Sequence, residues 1–180
     1  MPRESKRDKI LNAAADIVLN HGTEALTLDA VANLAEVSKG GLLYHFSTKE
    51  ALITGLVQRM DRNQRQKVED TTLSDKTQIG KWSRSYIQTM YNQSLENKRL
   101  TAGMLAAQAF DPQLLKPLQE THQNFQNLIQ NDGIDEVQAM ILKLAIDGLW
   151  LSETFGLGNI DVDLKKRVMT TLLQQSKKKK

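Results

Sequence analysis

Apolar residues recur every three or four positions along most of the chain, which is the signature of amphipathic helices. From Lys9 to about His21 they fall at Ile10, Ala13, Ala14, Ile17 and Val18, and Gly22 closes the run. The residues before it, 1–9, read as a loose polar arm. A second helix has Thr27 as its cap and Leu28, Val31, Ala32 and Ala35 on its inner face. A turn at Glu36-Val37 follows, and Ser38 then caps a short third helix through about Tyr44. Ser47 with Glu50 three residues on forms a capping box for a fourth helix over about 48–68, with Leu52, Leu56, Val57 and Met60 inward.

Residues 70–75 read as a break. Further helices are expected over about 75–93, 97–109, 112–130, 134–155 and 161–176, with breakers at Pro112, Gly133 and the stretch Gly156 to Asn159. The pattern gives about nine helices and no convincing strand, so the fold class is all-α. A small N-terminal three-helix domain over 1–48 precedes a larger helical domain over 49–176 and a lysine tail at 177–180.

Composition adds little to this and removes several possibilities. The 180 residues include no cysteine, which excludes disulfides and thiolate metal sites and fits a reducing, cytoplasmic setting. No long apolar run follows the charged opening, so neither a signal peptide nor a membrane span is expected. The isoelectric point of about 9.1 reflects mainly the terminal Lys177 to Lys180. Without those four, 20 basic residues face 21 acidic ones, and residues 1–50 hold six Lys/Arg against seven Asp/Glu. Global charge therefore gives no argument for nucleic acid, and any such site must be local.

The local arrangement that suggests one is VSKGGLLYHFSTKE, Val37 to Glu50. A helix ending near Leu34, a tight turn and a short helix from Ser38 have the spacing of a helix-turn-helix, whose second helix enters the major groove. Gly40 and Gly41 leave the first turn of that helix uncovered, so another molecule can approach its backbone. The same geometry also occurs in proteins that bind no nucleic acid, and Tyr44 and Phe46 could simply pack on the first helix.

Residues 10–56, from Ile10 through Thr27-Leu28-Asp29-Ala30-Val31-Ala32 to Lys49-Glu50-Ala51-Leu52, resemble the N-terminal domain of the TetR family of transcriptional repressors. The resemblance is closest from Val37 to Leu52. It implies a homodimer on a palindromic double-stranded DNA operator, with a small domain on DNA and a larger one that dimerises and holds a small-molecule effector. On the matching positions it implies that Thr27, Ser38, Tyr44, His45 and Lys49 touch the DNA backbone, with Lys39, Gly40, Gly41 and Leu42 nearest the base edges. The family often carries Thr or Ser near the second glycine; here Leu42 follows it, which leaves few side-chain base readers. Arg3, Lys6 and Arg7 could follow the phosphates or the minor groove.

In the larger domain, Met60, Trp82, Tyr86, Met90, Tyr91, Met104, Phe110, His122, Phe125 and Trp150 are candidates to line an effector cavity, because such sites are mostly apolar with a few polar groups. Their simplest alternative is ordinary bundle core. No charged cluster is evident in this region, so the effector is expected to be largely apolar or aromatic. The stretch Val137 to Leu157 is the most apolar long helix. Ile141, Leu144, Ala145, Gly148, Leu149 and Ser152, with Leu164, Val168 and Leu172 of the last helix, are candidates for a four-helix dimer interface.

The three histidines show no metal-ligand spacing, and no nucleotide or hydrolase motif is present, so no enzyme activity, metal or cofactor is expected. Asp147 and Glu153 have cap, pair or surface roles as their plain reading. The alternatives to a repressor are an activator on the same fold and a helical binding or scaffold protein that no longer reads DNA.

Overall fold

The structure, a computed structural model, describes residues 5–96, 98–158 and 160–177, except for the side chains at 93–96, 98–100 and 102. Arg3 and Lys178 to Lys180, which figured in the sequence reading, lie outside the described residues. Nine α-helices occur among the described residues: α1 (Lys6–His21), α2 (Leu28–Leu34), α3 (Lys39–His45), α4 (Lys49–Ser74), α5 (Lys81–Glu96), α6 (Lys98–Phe110), α7 (Lys116–Gln130), α8 (Glu136–Phe155) and α9 (Val162–Gln175). A 3-10 turn, Pro112–Leu115, precedes α7. The chain forms two compact units, one of residues 1–62 with 98–119 and one of 63–97 with 120–180.

In the first unit the starts of α1 to α4 are each fixed by a side-chain oxygen. Thr27 accepts from the Ala30 amide at 3.1 Å and Ser38 from the Gly41 amide at 3.1 Å, as the sequence suggests. Two starts differ from expectation. Ser5 accepts from the Asp8 amide at 3.0 Å, so α1 begins at Lys6 inside what reads as a loose arm. Thr48, one residue nearer the helix than Ser47, caps α4 through the Ala51 amide at 3.0 Å. Each such cap satisfies an amide that the helix itself leaves unpaired. The turn between α2 and α3 passes through Glu36 at φ +53°, a left-handed conformation that costs about 1–2 kcal/mol for a residue with a side chain. The core of this unit holds Ile10, Leu11, Ala14, Leu26, Val31, Leu42, Leu52, Ile53 and Leu56.

In the second unit, α4 runs on to Ser74 through the expected break. The hydroxyls of Thr71, Thr72 and Ser74 donate to the carbonyls of Lys67, Val68 and Asp70 at 2.7, 2.7 and 2.9 Å, so the polar run is accommodated within the helix. Helix α5 starts correspondingly late, after a loop held by one arginine. Arg84 is buried, and its guanidinium donates to the Asp75 carboxylate at 2.6 Å and to the carbonyls of Ile79, Thr77 and Ser176 at 2.7, 2.7 and 3.3 Å. Gly80 lies beside it at φ +72°, where an added Cβ would overlap the Ser176 carbonyl oxygen. The Asp132 carboxylate accepts from the amides of Trp82 and Ser83 at 3.2 and 2.7 Å, so the start of α5 is capped from the loop between α7 and α8. The core of this unit is built from α5, α7, α8 and α9, with Val68 from α4.

Candidate functional site

The helix-turn-helix occupies α2, the Glu36 turn and α3. Helix α3 presents an outer face that carries Lys39, Gly40, Leu43 and Tyr44. Gly40 has open space where a Cβ would sit, whereas a Cβ at Gly41 would lie 3.1 Å from the Ser38 hydroxyl. Tyr44 is 86% exposed, and its ring meets His45 edge-on at a centroid distance of 5.1 Å. Lys39 pairs with Asp29 of α2 at 2.8 Å, both side chains being largely exposed, so the pair adds little to stability and leaves the ammonium accessible. Thr27 and Ser38 are exposed, with their hydroxyls engaged as caps.

Three of the residues expected to face outward have inner roles. Leu42 is fully buried and cannot reach a base edge. In a seven-residue helix the positions beside it, Leu43 and Tyr44, take the outer face instead. Lys49 is half-buried and donates to the Thr23 carbonyl at 3.2 Å, tying the start of α4 to the loop between α1 and α2. Arg7 packs its guanidinium 5.2 Å from the Phe46 ring centroid and so buttresses the end of α3.

The candidate effector residues are divided between the units. Met60, Met104 and Phe110 belong to the first. There Phe110 borders a cleft of about 130 Å³ with Leu26, Lys49, Ile53 and Ala106. The other seven gather in the second. Tyr86, Met90 and Phe125 are buried in its core, with Trp82, Tyr91 and Trp150 packed against them. The Tyr86 ring lies 5.7 Å from Phe125 and 6.5 Å from His122.

Charge enters this core, contrary to expectation. Tyr86 donates to Asp147 at 2.6 Å, and Lys143 pairs with the other Asp147 oxygen at 2.5 Å while lying 5.3 Å from the Tyr86 ring centroid. Burial and the Asp147 charge push the Tyr86 phenol far above its usual range, so it remains a donor. A second pair, Lys165 with Glu153, sits against Tyr91 at 5.0 Å. Asp147 and Glu153 are thus pairing residues, and each lysine lies over a tyrosine. Among the described residues no group of His, Asp or Glu could hold a metal ion.

Helix α8 is apolar on two sides. Ala139, Leu142, Ile146 and Leu149 turn into the core, while Val137, Ile141, Leu144, Leu151 and Phe155 are 45–62% exposed. Ala145 and Gly148 are exposed within that outer stripe, Ser152 is at its half-buried edge, and Leu164 of α9 is 43% exposed. Leu149 and Leu172 belong to the core and Val168 is half-buried. Sequence reading missed Val137, Leu151 and Phe155, although their three- and four-residue spacing from Ile141, Leu144 and Gly148 marks them as one face.

These features define an all-helical protein with an N-terminal helix-turn-helix. Residues 10–56 match the family model for bacterial regulatory proteins of the tetR family, and residues 80–177 match that of the tetracyclin repressor-like C-terminal domain. The chain belongs to the TetR family. It is 46% identical over 46 residues to the HTH-type transcriptional regulator QacR of Staphylococcus aureus, which covers 26% of this chain and 24% of that protein. It is 37% identical over 59 residues to the HTH-type transcriptional activator FasR of Mycolicibacterium smegmatis, which covers 33% of this chain and 27% of that one. The matches thus span about a quarter of the length of these curated relatives. The whole fold is similar to that of the multidrug binding protein EbrR in complex with malachite green, at a TM-score of 0.69 and 22% identity over 94% of this chain and 98% of that one.

Proposed function

We propose that this chain is a ligand-responsive transcriptional regulator, a repressor that binds a palindromic operator as a homodimer and is released by a small, largely apolar or aromatic effector. The observation that carries the reading is the outer face of α3, where Tyr44 stands almost free beside the open backbone at Gly40. Residues 1–48 serve as the DNA-binding domain and 49–176 as the effector and dimer domain.

On this reading Tyr44, Lys39 and the caps Thr27 and Ser38 meet phosphates, which position the protein, and the Gly40–Gly41 backbone with Leu43 lies nearest the base edges. His45 stands beside Tyr44, and Lys49 acts by holding α4 in place. The outer stripe of α8, with Leu164, meets the same stripe of a second copy. A stripe of five large apolar side chains on one helix is costly to leave in water, and a two-fold pairing covers it twice. The aromatic group around Tyr86, His122 and Phe125 favours an aromatic effector. The malachite green held by EbrR is such a molecule. The activator name of FasR gives one specific reason to keep activation as the second reading.

Fluorescence anisotropy tests the proposal, with the chain titrated on the duplex upstream of its own gene and on a scrambled duplex at two salt concentrations. Specific binding at least about a thousandfold tighter than to the scrambled duplex supports it. Equal, weak and strongly salt-dependent binding to both duplexes and to DNA selected from a random pool rejects it.

A further inference from the structure

The outer face of α3 has few side chains with which to read a base. Gly40 and Gly41 have none, and Leu42 is fully buried. Lys39 holds its ammonium 2.8 Å from Asp29, back against α2. Tyr44 and His45 meet edge-on at the end of the helix. What remains is Leu43, an apolar side chain left 38% exposed.

Leu43 and Gly40 are three residues apart, so they share a face of the helix. A helical side chain leans towards the helix N-terminus, which carries Leu43 over the turn that holds Gly40. Nothing lies within 4 Å of a Cβ added at Gly40. The bare backbone there lets a groove wall come close enough for a side chain as short as leucine to touch the bases.

An apolar side chain can tell base pairs apart in one way. The apolar group that a base pair presents in the major groove is the C5 methyl of thymine. Against the other edges Leu43 would cover a donor or acceptor without replacing its bond to water, which is a net cost. We infer that Leu43 is a specificity-determining residue that reads a thymine methyl in each half-site of the operator. This rests on the reading of α3 as the DNA-contacting helix and deepens it: at this position sequence is read by apolar contact and not by a hydrogen bond.

The test begins by selecting the operator from random duplexes with the full-length wild-type chain. Each symmetric pair of its thymines is then replaced by deoxyuridine, which removes the methyl and leaves the base-pairing edge as it was. Affinity is read by anisotropy at two salt concentrations. Replacement at one pair of positions should weaken wild-type binding about fifteenfold, since one buried methyl supplies about fourfold in each half-site. The factor should be the same at both salt concentrations, because the methyl carries no charge. Leu43→Ala, checked by thermal melting, should bind the thymine and deoxyuridine operators equally, and Leu43→Met should keep the preference. In the wild-type complex an NOE should join a Leu43 methyl to that thymine methyl, a readout that needs no variant. A wild-type scan with no methyl-sensitive thymine overturns the inference, and so does a sensitivity that survives undiminished in Leu43→Ala. A wild-type chain that selects no sequence overturns the reading of α3 itself, and Leu43's role with it. Successful selection followed by an unresponsive scan overturns the role of Leu43 alone.

Discussion

Helix α3 and the core around α5 treat polar groups in opposite ways. Around α3 the polar tips of Lys39, Tyr44 and His45 stand at or near the surface, and the Lys39–Asp29 ion pair is exposed on both sides. Around α5 the charged and phenolic groups are buried or nearly so, and they are held by one another: Arg84 by Asp75 and three carbonyls, Tyr86 by Asp147, which also pairs with Lys143. The first arrangement costs the fold little and leaves its groups available to another molecule. The second makes each member depend on its partners, because a buried charge stripped of its partner retains its desolvation cost. Substitutions near α3 should therefore change binding and spare stability, and those around Arg84 should change stability first.

The largest effect expected is at Arg84. Arg84→Met takes the guanidinium from Asp75, which keeps only its bond from the Thr77 amide, and from three carbonyls, and should cost about 3–5 kcal/mol in chemical denaturation. A cost below about 1 kcal/mol would mean that the hub is dispensable. Next comes the outer stripe of α8, which sharpens the contrast because it is apolar and exposed. Leu144→Asp should leave the monomer's fold intact yet weaken self-association by about 2 kcal/mol or more, the scale of an interface hot spot, as read by sedimentation across a concentration series.

Asp75→Asn keeps the shape of the hub and removes its charge, at about 2 kcal/mol near pH 7. The Arg84 guanidinium holds the Asp75 carboxyl below its ordinary value of 3.8. A depressed carboxyl contributes stability above the unfolded value and loses it as pH falls through the lower folded value. The gap between wild type and Asp75→Asn should thus persist down to about pH 4 and close below it. Asp132 works the other way: burial raises its carboxyl, so its own contribution falls as pH rises through that value. A gap of constant size from pH 7 to pH 2 would contradict the charge argument.

Smaller again is Tyr44→Ala, expected to weaken specific DNA binding by about 1 kcal/mol with no change in melting temperature. The smallest concerns the turn before α3. Glu36→Gly relieves a left-handed residue at φ +53° and should raise stability by up to about 1 kcal/mol, less the chain entropy that glycine adds to the unfolded state. A loss of stability there would show that the Glu36 side chain has a contact worth more than the strain.

What could be read from the chain follows from the range of each interaction. Thr27 and Ser38 were legible as caps because a cap and its amide are three residues apart. The first turn of α1 was missed because Ser5 and Asp8 sit in a run of charges that hides the same signal. Leu42 was placed outward by the family resemblance, and a seven-residue helix with two glycines has too few apolar positions for its own phase to correct that. In α8 the difficulty was the reverse: with apolar residues on two sides, periodicity could not say whether Leu149 belonged to the core or to the outer stripe. Lys143 and Asp147 are four apart and could have been paired on spacing alone. Lys165 and Glu153 face each other across a loop, and Arg84 bonds mainly to carbonyls, which carry no sequence signal at all.

The division between a binding surface at α3 and a stability hub at Arg84 is tested most directly by measuring operator affinity and melting temperature together on Tyr44→Ala and on Asp75→Asn. The expected result is a crossed pattern. Tyr44→Ala should lose specific affinity several-fold at an unchanged melting temperature, and Asp75→Asn should melt lower while binding the operator as wild type does wherever it is folded. Unaltered operator affinity in Tyr44→Ala, with wild-type protein binding specifically in the same assay, would contradict the placement of the DNA-reading surface on α3.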